Sequence, residues 1–365
     1  MKISYKPSSV SSRYRNEMAA RRSTLLGRAL TAGLLALAGC HGATPAPATR
    51  AEALTFHTLT YTPAPDESDR ALASLRRVDD HPLYEMTYDG PAPKLAPPGA
   101  KPKAIALPAD RDAFACTVFL AAGGERPVLG RNFDWDHNPA LVLVSRPPDA
   151  YDSISLVDLS YLGFDHARLA KLEDPAARRD MLLASTLPFD GVNEHGLAVG
   201  MAQVEGRAEV RPGARAVGSL AVIRLALDTA RTVDEAVRVF ETYTLDWSGG
   251  PSMHYLVADA KGDSAVIEFA TGTMTVTRGD GRWQLMTNFN LSTSDAAGRA
   301  ADWRYATGSA ELDAAAGDLD PGAAMTLLRT LRQGHTQWSV VYDLEAGTAA
   351  IATGQRYDRI HHTTL

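Results

Sequence analysis

The chain has 365 residues, 45% of them hydrophobic, and a formal net charge of −6. This length and apolar share suffice for one large domain with a proper core and additional segments. No basic tract follows the N-terminal region, which argues against nucleic-acid binding. The spacings of His, Cys, Asp and Glu match no metal site. We therefore expect neither a nucleic-acid partner nor a metal or other cofactor.

Residues 1–39 are predicted to be a targeting segment. Three arginines between positions 21 and 28 precede a mostly apolar run at 29–38. The run is too short to span a bilayer and ends in small residues, which is the layout of a signal peptide. Counting from Met18 gives a more usual signal length than counting from Met1.

The end of this run, Leu37-Ala38-Gly39-Cys40, resembles a bacterial lipoprotein box. The resemblance implies cleavage before Cys40 and lipid on its thiol, so that the protein is exported and anchored to a bacterial cell membrane. An ordinary signal peptide with an unrelated cysteine is the alternative. The oligomeric state stays open, a homo-oligomer included.

Composition divides the rest of the chain. Residues 41–53 are rich in Ala, Pro and Thr and predict a flexible tether. Residues 54–90 hold a short apolar piece and a predicted helix at 68–77. Six prolines at 91–110 predict an extended, exposed linker. The composition shifts at Asp112, and a dense α+β domain follows.

Strands dominate the predicted elements of that domain, and helices separate groups of them, which favours sheets sandwiched by helices. The expected strands are 116–121, 127–135, 141–145, 153–159, two strands within 191–201 around a turn at 193–196, 254–258, 265–270, 339–344 and 348–352. The expected helices are 219–230, 232–243 with a capping box, and 321–334 with Asp320 as its cap.

Cys116 lies at the first position of a predicted strand, directly after the linker. With Cys40 assigned to lipid, Cys116 is the remaining thiol of an exported protein. If the Ala115–Cys116 bond is cut, Cys116 gains an α-amine with a reference pKa of about 7.7–8.0, which can act as base for its own thiol. A cysteine packed in the core is the alternative.

Two charged residues on the next predicted strand, Arg131 and Asp134, strengthen this hypothesis. A guanidinium beside a thiol lowers the thiol pKa, and a carboxylate can orient an α-ammonium group. Their spacing of three places them on opposite faces of a regular strand, so a bulge or the strand end is needed to bring both near Cys116. A surface ion pair is the alternative.

Four segments in order resemble the choloylglycine hydrolase family, which includes bile salt hydrolases and penicillin V acylases and is related to acid ceramidase and N-acylethanolamine acid amidase. The segments are Cys116-Thr117 with Gly130-Arg131-Asn132-Phe133-Asp134-Trp135, then 190–200, Met286-Thr287-Asn288 and 338–344. The resemblance covers essentially all of 116–365. It implies a four-layer αββα N-terminal-nucleophile hydrolase fold for 116–365, with 40–115 as tether and pro-segment.

The resemblance also implies site roles. Cys116 is expected to be nucleophile and, through its amine, base. Arg131 tunes the thiolate and Asp134 holds the α-amine. Asn288 donates its side-chain amide to the oxyanion.

Two further roles are less fixed by the motifs. The backbone N–H of Gln203 is the second oxyanion donor, although bile salt hydrolases have Asn at that position. Arg304 is the late arginine near the nucleophile, with Arg299 as its rival because the stretch after Asn288 is shorter than in bile salt hydrolases.

The implied reaction is hydrolysis of a linear, non-peptide C–N bond in a small acyl amide through a thioester. An acyltransferase using the same thioester and a non-catalytic lipoprotein that binds an acylated ligand remain alternatives. A papain-like peptidase is disfavoured because Cys116 has no papain-type signature. We expect His195 to lie in a turn and assign no catalytic role to His137, while 161–164 is either a loop over an acyl pocket or ordinary core.

Overall fold

The computed structural model describes residues 53–54, 58–60, 65–96, 105–106, 115–170, 172, 174–209, 211–247 and 250–365. The predicted signal segment, Cys40 and most of the tether lie outside these residues. Within the described part, no helix is both long and apolar enough to cross a bilayer.

The strands are numbered in chain order. They are β1 (Ala53–Leu54), β2 (Leu59–Thr60), β3 (Arg76–Asp79), β4 (Leu83–Tyr88), β5 (Lys94–Leu95), β6 (Ile105–Ala106), β7 (Ala115–Ala121), β8 (Val128–Asp134), β9 (Ala140–Ser145), β10 (Ser153–Asp158), β11 (Asp190–Asn193), β12 (Ala198–Gln203), β13 (Arg215–Gly218), β14 (Tyr243–Asp246), β15 (Met253–Ala258), β16 (Ser264–Glu268), β17 (Thr275–Arg278), β18 (Trp283–Met286), β19 (Thr336–Asp343), β20 (Thr348–Thr353) and β21 (His361–Thr364).

The α-helices are α1 (Pro65–Ser74), α2 (His166–Leu169), α3 (Pro175–Arg179), α4 (Ser219–Thr229), α5 (Val233–Thr242), α6 (Ala296–Ala301), α7 (Trp303–Ala314) and α8 (Pro321–Leu331). Three short 3-10 segments, Leu159–Leu162, Asp180–Thr186 and Leu291–Thr293, complete the helical elements among the described residues.

Two large sheets form the centre of the fold. One has six antiparallel strands in the order β18-β7-β8-β19-β20-β21, and the other has nine in the order β17-β16-β15-β12-β11-β10-β9-β4-β3. β7 packs across β12, so the sheets lie face to face. A Cβ at Gly200 of β12 would come within 2.7 Å of Val118, which explains why a glycine occupies this close approach of the sheets.

Helices cover the outer face of each sheet. α4 and α5 pack on the nine-stranded sheet, and α7 and α8 pack on the six-stranded one. Strand alternation fits this arrangement: Val118 and Leu120 of β7 belong to the core between the sheets, whereas Phe119 and Ala121 belong to the core under α7 and α8. The predicted four-layer αββα fold is confirmed.

Most predicted elements of 116–365 are found with boundaries shifted by one to three residues. The helix capped by Asp320 ends at Leu331 rather than 334. Thr232 caps α5 by accepting from Glu235 N, but the Glu235 carboxylate accepts from Arg231 N instead of closing a capping box on Thr232.

The segment before Cys116 was predicted less well. The helix there begins at Pro65 and ends at Ser74, so the predicted helix at 68–77 is too late in the chain. β3 and β4 were not predicted at all, although β4 pairs in parallel with β9 and extends the nine-stranded sheet. The linker is also not wholly exposed, since Ala92 and Pro93 are buried.

Candidate active site

Cys116 is the second residue of β7, and its side chain faces the core between the sheets with only 2% of the residue exposed. β18 pairs with β7 only as far as Val118, so Cys116 has no partner strand on that side. Side chains replace the missing strand. Cys116 N donates to Asn288 Oδ1 at 2.8 Å, and Cys116 O accepts from Arg304 Nη1 at 2.8 Å. The backbone of Cys116 is therefore held by two of the predicted site residues.

Arg131 lies on β8 opposite Val118 and shares the inner face of the sheet with Cys116. Its Nη2 is 3.7 Å from Cys116 Sγ. Its Nη1 donates to Phe189 O at 2.7 Å and to the carboxylate of Asp190. Because Arg131 is fully buried, its charge acts on the thiol with little screening by water.

Asp190 is the counter-charge of Arg131, and it was not predicted as a site residue from the sequence. Its carboxylate also accepts from Tyr342 OH and from Trp338 Nε1, the latter at 3.3 Å. One buried carboxylate thus joins three of the four segments on which the resemblance rests. Arg131 gave the available signal, because an arginine on a buried strand requires a buried acid nearby.

The pKa of the Cys116 thiol is raised above its ordinary value, chiefly by burial and secondarily by the negative charge of Asp134. The guanidinium of Arg131 opposes this rise. In the continuous chain the thiol is therefore protonated near neutral pH, and exposure of Cys116 to water would remove the largest cause of the raised pKa.

Asp134 is the last residue of β8. Of the two arrangements that could bring both Arg131 and Asp134 near Cys116, a bulge or the strand end, the structure therefore has the strand end. The carboxylate of Asp134 accepts from Gln333 Nε2 at 2.9 Å and from Thr336 Oγ1, and lies 3.9 Å from Arg304 Nη1. Burial raises the pKa of Asp134, and these neighbours partly offset the rise. In register it lies opposite Ala115, on the far side of the bond predicted to be cut.

Asn288 and Gln203 lie together as expected, but the side-chain amide of Asn288 makes a different contact from the one predicted. Asn288 Nδ2 donates to Gln203 O at 2.8 Å, while its Oδ1 accepts from Cys116 N and from Arg304 Nη1. The group expected to face an oxyanion therefore contacts the Gln203 backbone in the continuous chain.

Arg304, rather than Arg299, reaches the site. Asp302 caps α7 and also pairs with Arg304 Nη2 at 3.0 Å, which aims the guanidinium at Cys116. Arg299 instead donates to the backbone oxygens of Leu291 and Ser294.

The discounted residues lie away from this cluster of contacts. His195 is exposed in the turn after β11, where Gly196 has a φ of 75° and Asn193 Oδ1 accepts from His195 N. His137 is also exposed. Tyr161, Leu162 and Phe164 are buried, and Tyr161 packs edge-on against Phe189, so this segment is core. Among the described residues, no group of three or more His, Cys, Asp and Glu could hold a metal ion.

Comparison with known proteins supports the family resemblance. Residues 185–297 match the family described as acyl-coenzyme A:6-aminopenicillanic acid acyl-transferase. The matched part contains Asp190, Gln203 and Asn288 but ends short of Cys116 and Arg131 on one side and Arg304 on the other. A comparison with curated protein sequences gives no match.

Solved structures similar to this chain include penicillin V acylase from Agrobacterium tumefaciens, with 19% identity, 66% of this chain and 83% of the other covered, and a TM-score of 0.47. A mutant of the conjugated bile acid hydrolase from Clostridium perfringens has 14% identity over 69% of this chain and 92% of its own, with a TM-score of 0.49. The family match bears out the predicted resemblance over residues 185–297, and amide hydrolases and acyltransferases are the coarse class to which the chain is similar.

Proposed function

We propose that this chain is an exported hydrolase of linear amide C–N bonds whose nucleophile is Cys116, freed by cleavage of the Ala115–Cys116 bond. The substrate is a small acyl amide, and no cofactor takes part. The observation that carries the proposal is the setting of Cys116 at the start of β7, with Arg131 on its sulfur and Asn288 and Arg304 on its backbone.

Maturation uses the same thiol. The Cys116 sulfur attacks the carbonyl carbon of Ala115, the bond to Cys116 N breaks, and the thiol proton passes to that nitrogen. Water then hydrolyses the resulting thioester, which leaves a carboxylate on Ala115 and a free α-amine and thiol on Cys116. The hydrogen bond from Cys116 N to Asn288 and the one from Arg304 to Cys116 O keep the reacting residue fixed during these steps.

In turnover the α-amine accepts the thiol proton, and the thiolate attacks the substrate carbonyl beside the Arg131 charge. The amine product leaves with that proton, and water resolves the thioester. Asn288 Nδ2 carries two hydrogens, so it can keep its bond to Gln203 O and still donate to the oxyanion. Asp134 holds the new α-ammonium group once residue 115 has moved away.

Apolar surface beside the reaction centre fits an acyl substrate. The rings of Phe289 and Tyr305 follow Asn288 and Arg304 in the chain and lie 5.2 Å apart. Trp303, on the other side of Arg304, is 51% exposed and is the only large hydrophobic residue of the described part with such exposure. These three side chains are the proposed contacts of the acyl group.

Acyl transfer is the second candidate, because the matched family is named for an acyl-transferase. Hydrolysis and transfer share the thioester and differ only in whether water or an amine attacks it. Adding 6-aminopenicillanic acid to the reaction separates them: transfer predicts an acylated β-lactam, while hydrolysis predicts only free acid and amine.

The N-terminal piece is proposed to remain with the enzyme after the cut and to anchor it through lipid on Cys40. β3 and β4 are strands of the nine-stranded sheet, and β4 pairs with β9 over six residues. Washed membranes should therefore retain both chains. Retention of the N-terminal fragment alone would count against this arrangement.

The deciding experiment is the intact mass of the full-length protein, wild type beside Cys116→Ala. Two fragments that part between residues 115 and 116 are expected for wild type and one chain for the variant. Thr117→Val is the matched control, because the neighbouring side chain makes no hydrogen bond and should leave cleavage unchanged. An uncut, inactive wild-type chain would refute the hydrolase and favour a binding lipoprotein.

Wild type is then assayed on a panel of acyl amides: N-acyl amines, bile-salt-like conjugates, phenoxyacyl β-lactams and N-acyl homoserine lactones. Cys116→Ala mixed with active wild type shows whether the cut is made in cis. An uncleaved variant in that mixture is the expected result.

A further inference from the structure

A buried histidine–glutamate pair lies beneath the loop that carries Asn288. His254 of β15 and Glu268 of β16 are both fully buried, and Nδ1 of the histidine is 3.1 Å from Oε1 of the glutamate. The register that pairs Tyr255 with Ile267 sets the two side chains opposite each other. Neither residue takes part in the chemistry proposed above.

Both ring nitrogens and both carboxylate oxygens of this pair have a hydrogen-bond partner. His254 Nε2 is 2.8 Å from Thr287 O, an atom that can only accept. Glu268 Oε1 and Oε2 accept from the backbone N–H groups of Leu291 at 2.6 Å and Ser292 at 2.7 Å. Burial raises the pKa of Glu268, but the bonds from His254 and Ser292 outweigh it and the pKa lies below its usual value. Acceptor oxygens therefore lie against both ring nitrogens of His254, and the carboxylate of Glu268 lies against Nδ1.

The His254–Glu268 pair contacts the Asn288 loop on both sides of Asn288. Thr287, held by His254, comes directly before Asn288, and the two N–H groups held by Glu268 belong to residues 291 and 292. His254 also pairs across the sheet with Ala202, the neighbour of Gln203 in β12. The same pair therefore connects to both residues proposed to stabilise the oxyanion.

We propose that His254, as an imidazolium, and Glu268, as a carboxylate, are positioning residues that fix Asn288 and Gln203 for oxyanion stabilisation. Two buried charges carry a desolvation penalty that an apolar pair at these strand positions would avoid. The charges provide a rigid set of charge-assisted hydrogen bonds around Asn288. The orientation of this donor matters, because displacements of about 1 Å at a reacting centre cost on the order of 10²-fold in rate. This inference rests on the proposed function.

The test uses the full-length chain and three variants: His254→Gln, Glu268→Gln and the double variant. His254→Gln keeps a hydrogen-bond donor but removes the cation, and Glu268→Gln keeps the side-chain shape but removes the anion. Each single variant should lower kcat about 10- to 100-fold on the acyl amide that wild type hydrolyses fastest, with KM changed less than about threefold. The double variant should be no worse than the poorer single one, because the pair acts as a unit.

Val257→Ala is the matched control, a buried truncation on the same strand three register positions from His254. If a variant of the pair loses kcat no more than this control does at an equal loss of Tm, the role is merely structural and the proposal is wrong. A rise in KM with unchanged kcat would overturn it equally.

Nitrogen-15 NMR of the histidine rings provides a readout independent of activity. His254 should show protons on both Nδ1 and Nε2 at neutral pH in wild type, and Glu268→Gln should remove one of them. A single protonated nitrogen in wild type would refute the imidazolium. If wild type neither cuts itself nor hydrolyses any amide, the proposed function fails, while the NMR result still decides whether the charged pair exists.

Discussion

Two buried aspartates organise charged clusters in this molecule, and the clusters differ in where their partners come from. Asp190 contacts Arg131, Trp338 and Tyr342, all within the part of the chain that follows Cys116. Asp79, on β3, contacts Arg356 and His361 near the C-terminus, so its cluster spans the proposed cleavage point.

The difference indicates that the two clusters have separate roles. The Asp190 cluster balances the charge beside the thiol, so its integrity should govern reactivity. The Asp79 cluster joins the N-terminal segment to the last strands, so its integrity should govern whether the cut chains stay together. Substitutions that keep side-chain shape while removing charge separate the two roles.

Asp190→Asn should have the largest effect. It leaves Arg131 as an uncompensated buried cation, which costs about 3–5 kcal/mol of folding free energy. The guanidinium is also no longer held near the sulfur, so self-cleavage and amide hydrolysis should fall together. Urea unfolding of the Cys116→Ala precursor with and without Asp190→Asn measures the first effect apart from the second. Wild-type activity in Asp190→Asn would show that the cluster does not serve the thiol.

Asp79→Asn should destabilise by about 1.5–3 kcal/mol, because it removes the charge from a buried carboxylate that accepts from the partly exposed Arg356 and His361. Its characteristic result is different: the precursor still cuts itself, but the two fragments separate on gel filtration at a lower urea concentration than the wild-type fragments, because only the pairing of β4 with β9 still holds them. The control is Arg359→Gln, which removes an exposed member of the same cluster at 3.7 Å from Asp79 and should change stability by well under about 1 kcal/mol. Separation at the same urea concentration as wild type would show that the Asp79 cluster does not help to hold the fragments together.

Arg304→Gln, compared with Arg299→Gln, tests which of the two arginines acts on Cys116. Loss of the contact to Cys116 O should lower the rate of self-cleavage about 10- to 100-fold, or roughly 1.4–2.7 kcal/mol in activation free energy. Arg299→Gln, which removes only contacts to Leu291 and Ser294 backbone oxygens, should leave the rate within about threefold. The time course of intact mass measures both, and equal effects would argue against a direct role for Arg304.

How far the sequence alone could predict the fold depended on whether the signal was local. β8, β11, β12 and the hairpin of β15 and β16 were predictable because alternation and turn residues such as Gly196 and Gly262 lie within each segment. β3 and β4 were missed because 76–88 mixes charged, aromatic and proline residues, a pattern tolerated at a sheet edge that gives no clear period.

The site divides in the same way. Cys116, Arg131 and Asn288 stand in recognisable motifs, and the structure brings them into contact. Asp190 and Glu268 act through partners 59 and 14 positions away, respectively, and no local pattern marks a buried acid as the counter-charge of a particular cation. The partner of Cys116 N could not be predicted either, because it depends on where β18 stops pairing with β7.

Asp158 extends the comparison to a buried carboxylate without a cation as partner. Its substitution is expected to have the smallest effect. Burial raises its pKa to about 6, although it accepts from Ser160 N at 2.8 Å and Asn138 Nδ2 at 3.3 Å. A folded-state pKa above the unfolded value means that stability is fully present below about pH 4 and is lost as the pH rises through 6. The penalty at neutral pH is at most about 3 kcal/mol.

Asp158→Asn removes that charge while keeping a good N-cap. It should raise the free energy of unfolding by about 1–2 kcal/mol at pH 7.5 and by less than about 0.6 kcal/mol at pH 4, where Asp158 is neutral in the folded chain and about half ionised in the unfolded one. Thermal unfolding of the Cys116→Ala precursor at pH 4, 5, 6 and 7.5 measures this. Asp165→Asn, at an exposed cap of α2, is the control and should gain nothing at any of these pH values. A gain of equal size at all four would show that packing, not the buried charge, sets the stability at Asp158.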